Sequence, residues 1–425
     1  MSTSTDQVIA PVRAGDAAME ERSPKPKRVL DTSEPEAPLP LPLLLKMASD
    51  KHGKPLGQMV TEIAKLGFGP GKIDVEEYFS LRLFDDKALA GQDKRSFMGM
   101  RTCKTVGHDA NQHSHWFACV SDKLVFNTLL GGYGLPVLAT RGFYHARFKL
   151  PAFGAMRTAA DIHRFLATSK DYPLFGKPTG AAKSLGIVAL DGYDGTTGEV
   201  LLGDGRRVSA HDLAEEIAAA YDTGYLFQER GQPHPEVRAL SGDSIATVRV
   251  YTLYTEKGPR VFRACWKLPA GRNVADNFWR GNILAALDME TGAITRAIQG
   301  SGLNQVELET HPDTGARLID AKVPDWQRLV DLALQGAEIL DTMPLLGWDI
   351  APAASGPVLI EANNTPDFRL VQMAENRGAY DATLKVFLAE TAKYWEESGA
   401  IDKNRKKSLK QQSLDRVLSA LRKRA

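Results

Sequence analysis

Cysteine is scarce: Cys103, Cys119 and Cys265 form an odd, widely spaced set with no CxxC pair, so neither a disulfide framework nor a zinc knuckle is indicated. A reducing cytoplasm suits that usage. Long hydrophobic runs are lacking as well. The most apolar early stretch, Leu39 to Met47, falls far short of the roughly 18 residues needed to span a bilayer. Acidic residues precede it, and neither a signal peptide nor a transmembrane helix is read. Charge of one sign is not in excess either, since 53 Lys and Arg against 52 Asp and Glu leave a formal net charge of +1. That balance gives no general attraction to nucleic acid. No internal repeat is visible. What is present is an ordinary soluble composition, 43% hydrophobic and 25% charged, over 425 residues. Such a chain can bury a large core in two or three packed units.

Residues 1–42 are rich in Pro, Ser, Glu and Lys and poor in aromatics, which predicts a disordered tail. Leu56, Met59, Val60, Ile63 and Leu66 recur at helical spacing, with Gly67 where a helix would end, so 43–120 opens as a helical region. Ser121-Asp122 caps a predicted helix running through Leu130, and Leu135 to Ala139 reads as a buried strand. Runs rich in β-branched and aromatic residues follow at 174–177, 186–190, 225–228, 247–254, 261–268, 283–287 and 358–362, with a helix over 325–340. Several of the strands are close enough to pair as hairpins. The fold class is therefore α+β with antiparallel sheet, rather than a regular βαβ winding. The last 24 residues hold nine Lys or Arg against two Asp, and Leu414, Val417, Leu418 and Leu421 stripe one face of a short amphipathic helix. That basic helix is a surface for the body, a partner or an anionic membrane, or is simply solvated.

The strongest chemical signal is Gly347-Trp348-Asp349-Ile350 followed by Val358-Leu359-Ile360-Glu361-Ala362-Asn363. Strand periodicity puts Glu361 and Asn363 on one face, and an adjacent strand can bring Asp349 to the same edge. Three oxygen donors so placed suit magnesium; the alternative is a polar turn before Pro366. A second signal is Gly176-Lys177-Pro178-Thr179-Gly180-Ala181-Ala182-Lys183-Ser184, a lysine at a strand end before a loop of small residues. It offers an ammonium and free backbone N–H groups to a polyphosphate. A Walker A loop is rejected, because Ala182 stands where glycine is required and no helix is predicted after it.

In this order the segments resemble the ATP-grasp superfamily. Locally they are similar to D-alanine:D-alanine ligases, at Asp122-Lys123-Leu124 with Gly134 to Val137, at Gly176-Lys177-Pro178, and at Asp349 with Glu361-Ala362-Asn363. Over a longer span they look more like the sugar-transfer-associated ATP-grasp proteins. Gln228-Glu229-Arg230 with His234-Pro235, Thr247 to Val250, Asp276-Asn277 with Gly281, His311-Pro312 and Gly347-Trp348-Asp349 carry that likeness. The resemblance implies two α+β lobes clamping ATP: a small lobe over 121–224, a large lobe with the metal site over 225–395, and a basic tail over 396–425.

It further implies that Lys123 and Lys177 sit on the small lobe and meet the α and β phosphates, and that Gly180, Ala181 and Ser184 belong to a closing flap. Gln228, Glu229 and Arg230 would line the adenine, with Glu229 nearest its amine and His234 or Glu236 near the ribose. Asp349, Glu361 and Asn363 would hold two magnesium ions. Arg249, Lys267 and Arg280 are candidates for the γ phosphate or the substrate carboxylate, and each alone is equally compatible with a surface salt bridge. Arg249 leads because Thr247-Val248-Arg249-Val250 alternates cleanly.

The activity so implied is ADP-forming ligation of a small-molecule carboxylate to an amine or sugar-linked acceptor, with polysaccharide or natural-product biosynthesis as context and the cytoplasm as location. Two rivals are an ATP-grasp kinase and a nucleotide-binding module without turnover. Weaker signals stay structural. His113 and His115 are read as solvated or core-edge rather than a metal pair, and the scattered Trp266, Trp279, Trp326 and Trp348 as packing residues rather than a sugar platform.

Overall fold

A computed structural model describes residues 29–30, 39–148, 155–180, 185–271, 273 and 275–398. The flap residues Ala181 and Ser184, the basic segment after Ser398 and most of the expected N-terminal tail lie outside the described residues. Within that tail the expectation of disorder fails at two places. Val29 and Leu30 donate their N–H groups to the Glu216 carboxylate at 2.8 and 3.1 Å, and Leu30 is buried. This apolar pair in a polar stretch has found a core. The first helix, α1 (Leu41–His52), also starts inside the expected tail.

Three helices follow α1: α2 (Leu56–Phe68), α3 (Val75–Ser80) and α4 (Met100–Ala110). Helix α2 runs through Gly67 and ends one residue later. Asp74 and Glu77 close α3 with a reciprocal capping box, each side chain accepting from the other's backbone N–H. The short α5 (Ala118–Ser121) leads into α6 (Lys123–Gly132), where the Asp122 carboxylate accepts from Leu124 and Val125. The expected strand at Leu135 to Ala139 does not form. That segment runs beside the edge of a sheet with one isolated bridge, Val137 to Leu359. Pro136 has no N–H to offer a ladder, and its carbonyl accepts from Leu359 at 2.9 Å.

Two seven-stranded sheets form the body. The smaller lobe contains β1 (Thr140–Tyr144), β2 (Ala155–Met156), α7 (Ala159–Thr168), β3 (Leu174–Pro178), β4 (Val188–Asp194), β5 (Glu199–Leu202), β6 (Arg207–Ser209), α8 (Ala210–Ala220) and β7 (Tyr225–Glu229). Its strand order is β2-β1-β7-β3-β4-β5-β6, antiparallel except between β1 and β2. Ile162 and Leu166 of α7 and Leu213 and Ile217 of α8 pack with Leu174, Tyr225 and Phe227 of the sheet.

The larger lobe runs from α9 (Pro235–Ser241) through β8 (Thr247–Thr255), β9 (Gly258–Leu268), β10 (Ile283–Leu287), β11 (Ile294–Gln299), β12 (Val306–Glu307), α10 (Trp326–Ile339), β13 (Leu345–Ala353) and β14 (Gly356–Asn363). It closes with α11 (Arg369–Glu375) and α12 (Ala382–Ser398). All its pairings are antiparallel, in the order β12-β11-β10-β9-β8-β13-β14. The sheet is buried on both faces. Val248, Val250, Trp266 and Trp348 pack under α10, which comes close enough at Gly336 that a Cβ there would stand 2.7 Å from the Trp348 ring. On the other face Tyr251, Leu253, Cys265 and Leu284 meet α1 to α4, α11 and α12.

Two assignments shift. Strand β7, expected to open the larger lobe at residue 225, lies inside the smaller sheet between β1 and β3, because its backbone completes both ladders. Helix α6, expected on the smaller lobe, sinks Phe126 and Leu130 into the core of the larger sheet. Its apolar side matches the flank of β14, and it reaches the smaller lobe through its first residue. Among the described residues no helix is long and apolar enough to cross a membrane.

Candidate functional site

The face of the larger sheet that packs on α1 to α4 turns polar at one end. Strand alternation carries Thr247 and Arg249 onto the same side as Tyr251, and Asp349 lies directly opposite Arg249 across the β8–β13 ladder. The pair is bidentate: Arg249 Nε donates to Oδ1 at 2.5 Å and Nη2 to Oδ2 at 2.8 Å. Lys267 Nζ, from β9, reaches Asp349 Oδ2 at 3.0 Å and lies 3.6 Å from Asp276 Oδ1. Asp276 also accepts from the Thr247 hydroxyl. Arg249, Lys267 and Asp349 are all buried. Burial opposes the charge on Asp349, but Arg249 and Lys267 overcome it and hold its carboxyl well below the usual carboxylate range. Burial likewise works against Lys267, and Asp276 and Asp349 raise it above the usual amine value. Asp276 itself is pushed up by burial.

Beside this closed cluster stand two more open groups on β14. Glu361 is opposite Asp349, about one-third exposed at 34%, with Oε1 4.0 Å from Arg249 Nη2. Asn363 is opposite Gly347 and its amide lies 3.5 Å from Glu361 Oε1. Gly347 is required here. A Cβ would stand 2.6 Å from Pro366 Cβ and 3.5 Å from Arg249 Cδ, so the absent side chain lets the chain after β14 fold back over the site. Helix α4 buttresses the same turn: Asn111 Nδ2 donates to the carbonyls of Asn364 at 2.7 Å and Leu345 at 2.8 Å.

Facing Glu361 is Lys177 at the end of β3. It is 7% exposed and forms no hydrogen bond or ion pair among the described residues, in contrast to the paired Arg249 and Lys267. Burial, with Lys123 adding repulsion, lowers its ammonium from 10.5 to about 8, and only Glu361 pulls the other way. Lys123 is brought near because its backbone N–H donates to Thr179 O at 3.3 Å, which ties the start of α6 to the end of β3. Thr179 is in turn held by Gly224 at the entry to β7.

The remaining predicted residues lie at the end of β7, at the start of α9 and just after β3. Gln228 is buried on β7 and donates to Leu138 O at 3.3 Å. The Glu229 carboxylate accepts from Ala139 N–H and from Arg141, each at 3.0 Å, and its backbone N–H donates to Ala139 O at 2.9 Å, so this residue is tied to the segment leading into β1. Arg230 pairs with Asp191. His234 caps α9 through its ring, and its N–H donates to Pro352 O at 3.0 Å where the chain enters the larger lobe. Glu236 is exposed in the first turn of α9, and Gly180 is exposed at the start of the flap segment.

Arg280 ends a helical turn on the loop after Asp276. That loop is organised by Asn282, which sequence reasoning passed over. Fully buried, Asn282 accepts from Ala270 N–H and Asn273 Nδ2 and donates to the carbonyls of Ala275 and Asn277. An Asn just before the apolar run 283–287 was the available signal. A polar cavity of about 540 Å³ opens next to it, between the β5–β6 turn at 203–206 and Ser244, Gly271 and Asn273. His113 and His115 have adjacent rings with centroids 5.2 Å apart, yet no group of three or more His, Cys, Asp or Glu side chains suited to a metal occurs among the described residues. The trio of Asp349, Glu361 and Asn363 includes an amide and so falls outside that pattern.

No curated protein matches the sequence. Among solved structures, the chain is similar to the ATP-grasp ligase PsnB in complex with a minimal precursor, at 16% identity and a TM-score of 0.34, over 66% of this chain and 63% of that one. It is similar to the D-alanine-D-alanine ligase of Coxiella burnetii at 11% identity and a TM-score of 0.38, over 72% and 63%. For biotin carboxylase of Campylobacter jejuni the figures are 13% and 0.38, over 64% and 46%. The chain thus spans less than two thirds of the length of these proteins. A family model described as sugar-transfer associated ATP-grasp matches residues 108–387, which include every site residue named above. The chain belongs to the sugar-transfer associated ATP-grasp family.

Proposed function

We propose that the chain is an ADP-forming ligase that activates a small-molecule carboxylate with ATP and transfers the acyl group to an amine, or to a hydroxyl or thiol. Family membership carries ATP-dependent ligase-type chemistry in general. The observation that supports a nucleotide in this reading is Lys177, a buried ammonium with no hydrogen bond or ion pair among the described residues, within electrostatic reach of Glu361. A buried, unpaired charge is costly, and an anionic ligand removes the cost. In this reading Lys177 and Lys123 meet the α and β phosphates, Gly180 to Ser184 close over them, and the β7 end with Arg230, His234 and Glu236 holds the nucleoside.

Glu361 and Asn363 fit magnesium, since both present oxygen donors beside the cluster. A carboxylate has about four lone-pair sites; Asp349 commits three of them to Arg249 and Lys267 and can offer the fourth. When bound, the metal neutralises phosphate charge. Arg249, Lys267 and Arg280 supply fixed positive charge where it develops on the transferred phosphoryl group. The carboxylate oxygen attacks the γ phosphorus as the bond to ADP breaks. The acceptor then attacks the acyl carbon, inorganic phosphate leaves, and the acceptor gives up a proton. Polysaccharide or natural-product biosynthesis in the cytoplasm is the context we infer.

The test is ADP formation with magnesium across paired panels of carboxylates (amino acids and sugar acids) and amines. ADP and free phosphate in equal amounts, dependent on both substrates, support the ligase. Phosphorylated acceptor without free phosphate identifies a kinase, and ATP binding without turnover identifies a binding module.

A further inference from the structure

Joining an acyl phosphate to an amine releases protons, and a base held at the site accelerates that loss. Arg249, Lys267 and Arg280 are cations, Glu361 fits the metal, and Asp349 is claimed by Arg249 and Lys267. Asp276 is the remaining carboxylate of the cluster. Thr247 holds it through its hydroxyl and its backbone N–H. Lys267 Nζ stands 3.6 Å from Oδ1, beyond hydrogen-bond distance, so no Lys or Arg is bonded to Asp276 among the described residues. Its side chain is 15% exposed against 4% for Asp349, which makes it the more open of the two.

The position is braced from both sides. Asn282 Nδ2 donates to the two flanking carbonyls, Ala275 O at 2.7 Å and Asn277 O at 2.9 Å, and its Oδ1 accepts from Ala270 N–H at 2.9 Å. A carboxylate so held has little freedom to lose when it meets a reactant. Burial pushes the Asp276 carboxyl above its usual value; Lys267 on β9 opposes that rise, Asp349 on β13 adds to it, and Thr247 on β8 opposes it. A raised carboxyl is a stronger base than a surface one, which narrows its distance from an ammonium.

We infer that Asp276 is the general base of acyl transfer and that the acceptor is a primary amine arriving as its ammonium ion. This rests on the ligase reading. Asp276 takes one proton from the ammonium, and the freed nitrogen lone pair attacks the acyl carbon. The bond from that carbon to the phosphate oxygen breaks, and the departing phosphate takes a second proton as the amide forms. Asp276 then returns its proton to water. An alkyl hydroxyl, nearly as weak an acid as water, lies out of reach of a carboxylate, and a thiolate would be repelled by it.

The test compares two nucleophiles of similar size on the full chain with magnesium-ATP and, as carboxylates, the protein amino acids, glucuronate and galacturonate. Hydroxylamine is uncharged at pH 7 and needs no base; ammonium chloride must be deprotonated. The parent should form hydroxamate and amide respectively. Asp276→Asn keeps the shape and can accept from Thr247 but takes no proton, so amide formation should fall at least about 100-fold while hydroxamate formation stays within about threefold. A readout on the parent alone guards against a variant that does not fold: between about pH 7 and 8 its amide rate at fixed ammonium should rise less than about threefold, not the roughly tenfold by which free ammonia rises. A tenfold rise in the parent overturns the inference, as do equal losses of both products in a folded variant, which would make Asp276 a support for Lys267. Loss of neither product, or hydroxamate without amide from the parent, overturns it too. No hydroxamate from the parent with any carboxylate removes the ligase reading itself, and this inference with it.

Discussion

Replacing Lys177 with methionine should stabilise the protein while weakening its hold on ATP. Methionine keeps the length and the apolar stem of lysine and removes only the ammonium. In the free protein that ammonium is buried without a hydrogen-bonded partner and is lowered from 10.5 to about 8. Such a displacement corresponds to about 3 kcal/mol of differential stability. The sign follows from proton counting. Below pH 8 the lysine is charged in both the folded and the unfolded chain, and the folded state carries the whole penalty. Between 8 and 10.5 the unfolded chain binds more protons than the folded one, so the parent gains stability with pH; above 10.5 the penalty is gone.

Lys177→Met should therefore unfold in urea at a higher midpoint than the parent at pH 7, by about 3 kcal/mol, and the gap should narrow clearly by pH 9.5. Magnesium-ATP affinity, measured by equilibrium dialysis at pH 7, should fall about 10- to 100-fold, the worth of a charge-assisted hydrogen bond. A variant no more stable than the parent at pH 7, with no convergence at high pH, would refute the buried-charge argument. Unchanged ATP affinity would separately remove Lys177 from the phosphate site.

Three other outcomes are expected. Arg249→Leu leaves Asp349 with Lys267 as its only direct cation and should lower stability by about 3–5 kcal/mol in urea unfolding at pH 7. Because the Asp349 carboxyl is held below its ordinary range, that loss should persist above pH 4 and fade as the carboxylate is protonated in stronger acid. Gly347→Ala forces its new methyl against Pro366 and should cost about 1–3 kcal/mol, with ADP formation reduced because the turn over Glu361 and Asn363 is displaced. Glu361→Gln, at a partly exposed position, should leave the melting temperature within a degree or two while turnover falls at least about 100-fold; activity within a few-fold of the parent would discount the metal role.

Much of this architecture is legible in the sequence where one period dominates. The 325–340 helix and the alternation of Thr247 to Val250 are visible because each buries one regular set of side chains. Leu135 to Ala139 misleads because apolar content alone cannot distinguish a ladder strand from an extended connection packed on a sheet edge, and Pro136 was the clue. Helices α7 and α8 are missing from that reading although the signals were there: Thr158 and Ser209 cap them, and Ile162 with Leu166, and Leu213 with Ile217, recur at helical spacing over only 10 and 11 residues.

At the site, Lys177, Asp349, Glu361 and Asn363 are flagged by motif, and strand register brings Asp349, Glu361 and Asn363 side by side. What the chain order hides is long-range pairing. Nothing local indicates that Asp349 will be claimed by Arg249, 100 residues earlier, or that Asn111 will brace a turn 253 residues later.

The lead-in helices have a consequence for modularity. The segment that matches the family begins at residue 108, yet the sheet carrying Arg249 and Asp349 rests Tyr251, Leu253 and Leu284 on side chains from as early as Ala48. A version trimmed to the recognisable portion would lay one side of its central sheet open to water and would lose most of the α4 brace behind Asn364. The family-matching part and the preceding helices thus share one core, and domain-swapping experiments within the family should cut before residue 41 rather than at the edge of sequence similarity.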